Sequence, residues 1–74
     1  MQTVRPPLSF VIIARNQAST IVTCVDSVLT AARAAGLQAF EIVYVDSDSS
    51  DGTWQRVRDR FGERVRIVRL TGLM

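Results

Sequence analysis

Apolar residues in this chain gather into three short runs, and between them they recur at helical spacing. Leu8-Ser9-Phe10-Val11-Ile12-Ile13-Ala14 and Phe40-Glu41-Ile42-Val43-Tyr44-Val45 are rich in β-branched and aromatic residues. Ile42 to Val45 shows no alternation, and the first run is apolar almost throughout, so both strands are expected to be covered on both faces, as in a parallel sheet. Between them Ile21, Cys24, Val25, Val28, Leu29 and Ala32 mark one side of a helix, with Asp26, Thr30 and Arg33 opposite. Ser19 or Thr20 is its expected N-cap, and Gly36 suits the left-handed position just past its end. Trp54, Val57 and Phe61 mark a second, shorter helix that Asp51 or Ser50 would cap and Gly62 would stop. A third strand, Val65 to Leu70, alternates in the manner of a sheet edge, with Val65, Ile67 and Arg69 one way and Arg66, Val68 and Leu70 the other.

The order β-α-β-α-β, with connections long enough for helical crossovers, predicts parallel strands and right-handed turns. The fold class is therefore α/β: a Rossmann-like βαβαβ half of a doubly wound parallel sheet, strand order 3-2-1. In that order the apolar first strand keeps one unpaired edge. The expectation is accordingly a flexible start over 1–7 and, over 8–74, the front part of a larger domain, with the open edge free to pair with a second copy.

Composition narrows the function classes. The chain has 74 residues, 47% of them hydrophobic, and a net charge of +2 from nine Arg and no Lys. That is a globular composition. The Arg residues are spread over a helix and both sides of a strand, with only Trp54 and Phe61 near them, which argues for a solvated surface and against a nucleic-acid face. Cys24 is the single cysteine, placed on the apolar helix stripe and expected to be packed inside; it can form no intrachain disulfide. The absence of His excludes Ser-His-Asp and Cys-His nucleophiles. No run reaches the roughly 20 apolar residues of a membrane span, and the start lacks the apolar core of a secretion signal. The expected setting is cytoplasmic, or the inner membrane face if segments outside this sequence anchor it.

The chemistry concentrates in Asp46-Ser47-Asp48-Ser49-Ser50-Asp51-Gly52-Thr53, directly after the second strand. Ligands of open parallel sheets bind beyond the carboxyl ends of the strands. Asp46, the first polar residue there, is the candidate binding carboxylate, whereas Ser50 to Thr53 suit turn and cap chemistry. Two acids at i and i+2 can share a hard cation, but an EF-hand loop starting at Asp46 would need Gly and Glu where Asp51 and Val57 stand. A Walker loop needs a Lys, and a dinucleotide fingerprint needs glycines that Arg15-Asn16-Gln17-Ala18-Ser19 lacks. The strand-1 loop still offers backbone N–H groups and the Asn16 amide.

Three segments in order resemble the family 2 inverting glycosyltransferases, which have an A-type nucleotide-sugar fold. Ile13-Ala14-Arg15-Asn16-Gln17 stands where that family often has Pro-Ala-Tyr/Arg-Asn-Glu. Cys24-Val25-Asp26-Ser27-Val28 is similar to its Cys-Leu-Glu-Ser-Leu helix, and Val45 to Thr53 to its Val-Asp-Asp/Asn/Ser-Gly-Ser-Thr-Asp-Gly-Thr. The resemblance covers most of residues 8 to 70. It implies that Ile13, Arg15, Asn16 and Gln17 border a nucleotide, that Asp46 and Ser47 contact its base and ribose, and that Ser49 belongs to the same site. The implied partner is a nucleotide diphosphate sugar, and the implied reaction is transfer to an acceptor hydroxyl with inversion.

Three positions depart from the pattern: Ile13 for Pro, Gln17 for Glu, and Ser47 for a second Asp, which leaves the choice of nucleotide open. The family's metal-binding Asp-x-Asp lies on a later strand and its catalytic base later still. No catalytic residue and no metal ligand is therefore expected here, and Mg or Mn only in a longer enzyme. The chain alone is expected to be inactive. The alternatives are a non-enzymatic α/β interaction module and a receiver- or phosphatase-like α/β domain.

Overall fold

The computed structural model describes residues 8–72; the expected flexible start over 1–7 lies outside them. Five principal elements follow in the expected order: β1 (Ser9–Ala14), α1 (Ile21–Ala34), β2 (Glu41–Ser47), α2 (Thr53–Phe61) and β3 (Val65–Leu70), with a single 3-10 turn, Gly62–Arg64, before β3. The strands form one parallel sheet in the order β1-β2-β3. Phe10, Ile42 and Val65 share one row across it, and Ile12, Tyr44 and Ile67 the next.

Right-handed connections that step twice in the same direction put both helices on the same side of the sheet. The core is built there: Ile21, Val25 and Leu29 of α1, Val57 and Phe61 of α2, and Ile42, Tyr44 and Val65 of the sheet form one buried cluster. Phe10, Ile12, Ala14 and Ile67 pack against it from the edge strands. α1 stops where Gly36, at φ 78°, lets Leu37 N–H reach the Ala32 carbonyl and Gly36 N–H the Arg33 carbonyl, the left-handed helix termination expected of that glycine.

Among the described residues nothing covers the other face of the sheet, which departs from the expectation of strands buried on both sides. Val11 and Ile13 are 60% and 70% exposed, Val68 and Leu70 are also exposed, and Val43 and Val45 are only half-buried. The β1 run is apolar without alternation, yet its burial alternates strictly. Cys24 is likewise exposed instead of packed inside. The buried stripe of α1 runs through Ile21, Val25, Leu29 and Ala32, and Cys24 sits about 100° round the helix from Val25.

Truncation should separate the two faces. Val25→Ala removes two methyl groups from a site with no exposure and is expected to cost about 1–3 kcal/mol. Val45→Ala, which the unpatterned run would place in the core, lies on the uncovered face and should cost less than about 1 kcal/mol. Chemical denaturation followed by Trp54 fluorescence checks the pair; equal losses would contradict the one-sided core.

Candidate functional site

At the carboxyl end of the sheet two loops lie side by side, β1–α1 (residues 15–20) and β2–α2 (residues 48–52). The residues that drew attention in the sequence lock these loops together. Asn16 N–H donates to Ser49 Oγ at 2.9 Å, Gln17 N–H to Thr53 Oγ1 at 2.9 Å, and Ala18 N–H to Asp51 Oδ2 at 3.2 Å. In return Ser50 N–H donates to Asn16 Oδ1 at 2.9 Å. Asn16 and Asp48 take left-handed backbone conformations, φ 51° and 59°, which Asn and Asp tolerate better than most residues. The backbone N–H groups of Asn16, Gln17 and Ala18, expected to be open to a ligand, are therefore spent on the partner loop.

Asp51 also accepts from Thr53 N–H at 3.1 Å and from the Thr53 hydroxyl. It thus serves the start of α2 from one residue outside the N-cap position, which Gly52 occupies at φ 90°. Those bonds, with the Thr53 hydroxyl first, hold the Asp51 carboxyl below its usual pKa. Thr20 is the N-cap of α1, but its hydroxyl turns back to Gln17, to the carbonyl at 3.5 Å and to Oε1 at 3.1 Å, instead of capping a helix N–H.

Asp46 points to the helix side of the sheet, where it is fully buried. The Tyr44 hydroxyl donates to its Oδ1 at 2.5 Å and the Ser49 N–H to its Oδ2 at 2.9 Å. Tyr44 and Asp46 meet because residues i and i+2 of a strand share a face. Burial would raise the Asp46 pKa, but the Tyr44 and Ser49 hydrogen bonds outweigh it, with help from the Arg69 charge, and the group stays below its ordinary value. Burial, then the Asp46 hydrogen bond and charge, push the Tyr44 hydroxyl far above its own. Behind this pair Arg69, level with Asp46 in the next strand, stacks on Trp54 at 4.2 Å, while Arg58 approaches the same ring at 5.1 Å.

The candidate residues thus occupy three places. Ile13 and Ser47 lie on the uncovered sheet face, with Arg15 exposed where β1 ends. Asn16, Gln17 and Ser49 form the clamped crest. Asp46 lies beneath it, joined through Ser49 but facing no solvent. Arg15 has no hydrogen bond or ion pair among the described residues, and the Asn16 amide nitrogen has none either. Thr53, read from the sequence as a turn and cap residue, joins the crest, and Tyr44 and Arg69, which the sequence reading did not single out, complete the arrangement; the i, i+2 spacing of Tyr44 and Asp46 was the available signal.

No group of three Asp, Glu or Cys residues that could hold a metal ion occurs among the described residues. Asp46 has both oxygens in hydrogen bonds, and Asp51 accepts from the N–H groups of Ala18 and Thr53. No helix of the described residues is long and apolar enough to cross a membrane. The model of a protein family described as glycosyl transferase family 2 matches residues 9–73. No curated protein matches the chain.

Proposed function

Because this chain belongs to glycosyl transferase family 2, we propose that it supplies the nucleotide-binding portion of an enzyme that moves a sugar from a nucleotide diphosphate donor to an acceptor hydroxyl with inversion. In such a displacement the hydroxyl attacks the anomeric carbon opposite the departing diphosphate, while a carboxylate takes its proton. Neither that base nor a metal is assigned to a residue of this chain, and transfer by the chain alone is not expected. The non-enzymatic and receiver-like alternatives have no observation in their favour.

The observation that carries the proposal is the clamped crest at the carboxyl end of a parallel sheet, the ligand position of such folds. Around it the exposed Arg15 guanidinium would meet the diphosphate charge. The Ser47 hydroxyl, the Asn16 amide nitrogen and Gln17 would serve base and ribose, and exposed Ile13 would offer an apolar surface to the base. Asp46 acts from behind as a positioning residue: it fixes Ser49, and Ser49 fixes Asn16.

The test is an NMR titration of the chain with UDP and with GDP. Shifts centred on Arg15, Asn16 and Ser47, weakened about tenfold or more by Arg15→Ala, are expected. Shifts that leave these residues untouched, or that Arg15→Ala does not change, would overturn the reading.

A further inference from the structure

Tyr44 is the one tyrosine of the chain, and neither the packing nor the proposed chemistry asks for its hydroxyl. Its ring lies without exposure in the cluster that holds Ile21, Val25, Ile42 and Val57, where the ring of a phenylalanine would pack equally well. A buried hydroxyl costs free energy unless it is bonded. Here it donates to Asp46 Oδ1 at 2.5 Å, a length typical of a hydroxyl on a carboxylate. Asp46 is itself fully buried and makes no ion pair among the described residues. Each of its oxygens has a donor: Tyr44 on Oδ1, and Ser49 N–H on Oδ2 at 2.9 Å.

The crest is held to the rest of the fold at two points. Gln17 and Ala18 are bonded to Thr53 and Asp51, where α2 begins. Asn16 N–H is bonded to Ser49 Oγ, and Asn16 Oδ1 receives Ser50 N–H. Beneath that half, the bond to the sheet is the one from Ser49 N–H to Asp46. The last torsion of an Asp side chain is intrinsically broad. A carboxylate held at one oxygen therefore turns, and one held at both does not.

We infer that Tyr44 is a positioning residue: its hydroxyl fixes the Asp46 carboxylate so that Ser49, and through it Asn16, keep one orientation at the nucleotide site. The last step rests on the nucleotide reading above; the hold on the crest does not. Two other charged groups act on the pair. Arg69 of β3, level with Asp46, favours its charged form, and Asp51 of the loop disfavours ionised Tyr44. β1 places Ala14 beside Asp46, and the helices contribute apolar Ile21, Val25 and Val57 to the cluster around Tyr44.

Tyr44→Phe keeps the ring and removes the bond. Amide hydrogen exchange followed by NMR should show Asn16, Ser49 and Ser50 exchanging about tenfold faster or more, as for one lost hydrogen bond to a charged group. Gln17 and Ala18, held from α2, should change by less than about twofold. A pH titration adds a readout that packing alone would not move. In the wild type the Ser49 and Asn16 amides should shift together as Asp46 takes up its proton, below the ordinary carboxylate range. In Tyr44→Phe that midpoint should move up, because a buried charge has lost a donor. UDP affinity should fall in the same variant.

Wild-type amides that do not respond to Asp46 overturn the inference without any variant. Equal exchange in the two proteins, or an unmoved midpoint, does the same. Equal acceleration of all these amides would make Tyr44 a support of the whole fold and also overturns it. A loosened crest with unchanged UDP affinity overturns the step from crest to nucleotide. A wild type that does not bind UDP overturns the nucleotide reading instead, and the exchange result still decides whether Tyr44 holds the crest.

Discussion

Phe61→Ala is expected to remove a large share of the chain's folding stability. Phe61 ends α2 with 3% exposure and joins the helix to Val65 and the rest of the core. Emptying such a site costs about 3–5 kcal/mol, and the Arg60 and Arg64 guanidinium groups, 5.1 and 5.6 Å from the ring, lose their aromatic face as well. A domain of this size holds about 4–11 kcal/mol in all. Phe61→Leu keeps most of the volume and should cost less than about 2 kcal/mol. Circular dichroism of the two variants in urea checks the contrast. A Phe61→Ala protein as stable as Phe61→Leu would show that this corner closes over the space.

Asp46→Ala should have the next largest effect, because it strands two donors together, the buried Tyr44 hydroxyl and the partly buried Ser49 N–H. Each unsatisfied group costs about 1–3 kcal/mol, so a loss of about 2–5 kcal/mol is expected in guanidinium denaturation. A loss below about 0.5 kcal/mol would mean that water reaches the pair. The same contact gives stability a pH dependence. The Asp46 pKa is lower in the folded chain than in the unfolded one; its contribution is therefore complete above about pH 4 and fades as pH falls through the folded value. The Tyr44 pKa is raised, so its contribution is complete below about pH 10 and is lost above it. A plateau between these limits should flatten on its acid side in Asp46→Ala.

The order of elements and, Cys24 apart, the faces of both helices were legible from hydrophobic spacing, since Val25, Leu29, Val57 and Phe61 recur at helical intervals, and the parallel pairing was legible from the length of the connections. Which side of the sheet they cover was not read, although the means were present: two right-handed crossovers in the order 3-2-1 can only put α1 and α2 together. The run Ile42 to Val45 misled because an apolar residue carries no mark of whether anything lies over it. Val43 and Val45 look as buried as Ile42 and Tyr44 and are not.

The crest was legible in place but not in wiring. Asp, Ser and Thr after a strand suggest turns and ligands equally well. What decides is a set of side-chain bonds to backbone groups 33 to 36 residues away, for which a linear sequence has no local signature. Asp46 shows the same limit. Its identity as the first polar residue after the strand was plain, whereas its engagement by Tyr44 depends on both side chains turning under the helices.

The pairing register has a consequence for how the chain reaches this state. Neighbouring strands meet across 32 residues for Ser9 and Glu41 and 23 for Ile42 and Val65, so the sheet has no hairpin from which to start. Closing the longer segment costs only about 0.3 kcal/mol more than the shorter, too little to decide which half assembles first. The choice falls to the helices. α1 has 14 residues against the nine of α2, and helix length weighs heavily where nucleation is costly. Folding should therefore begin where α1 settles on β1 and β2, with β3 joining afterward. The crest hydrogen bonds, which need both loops already in place, would be the last to close and the first to open.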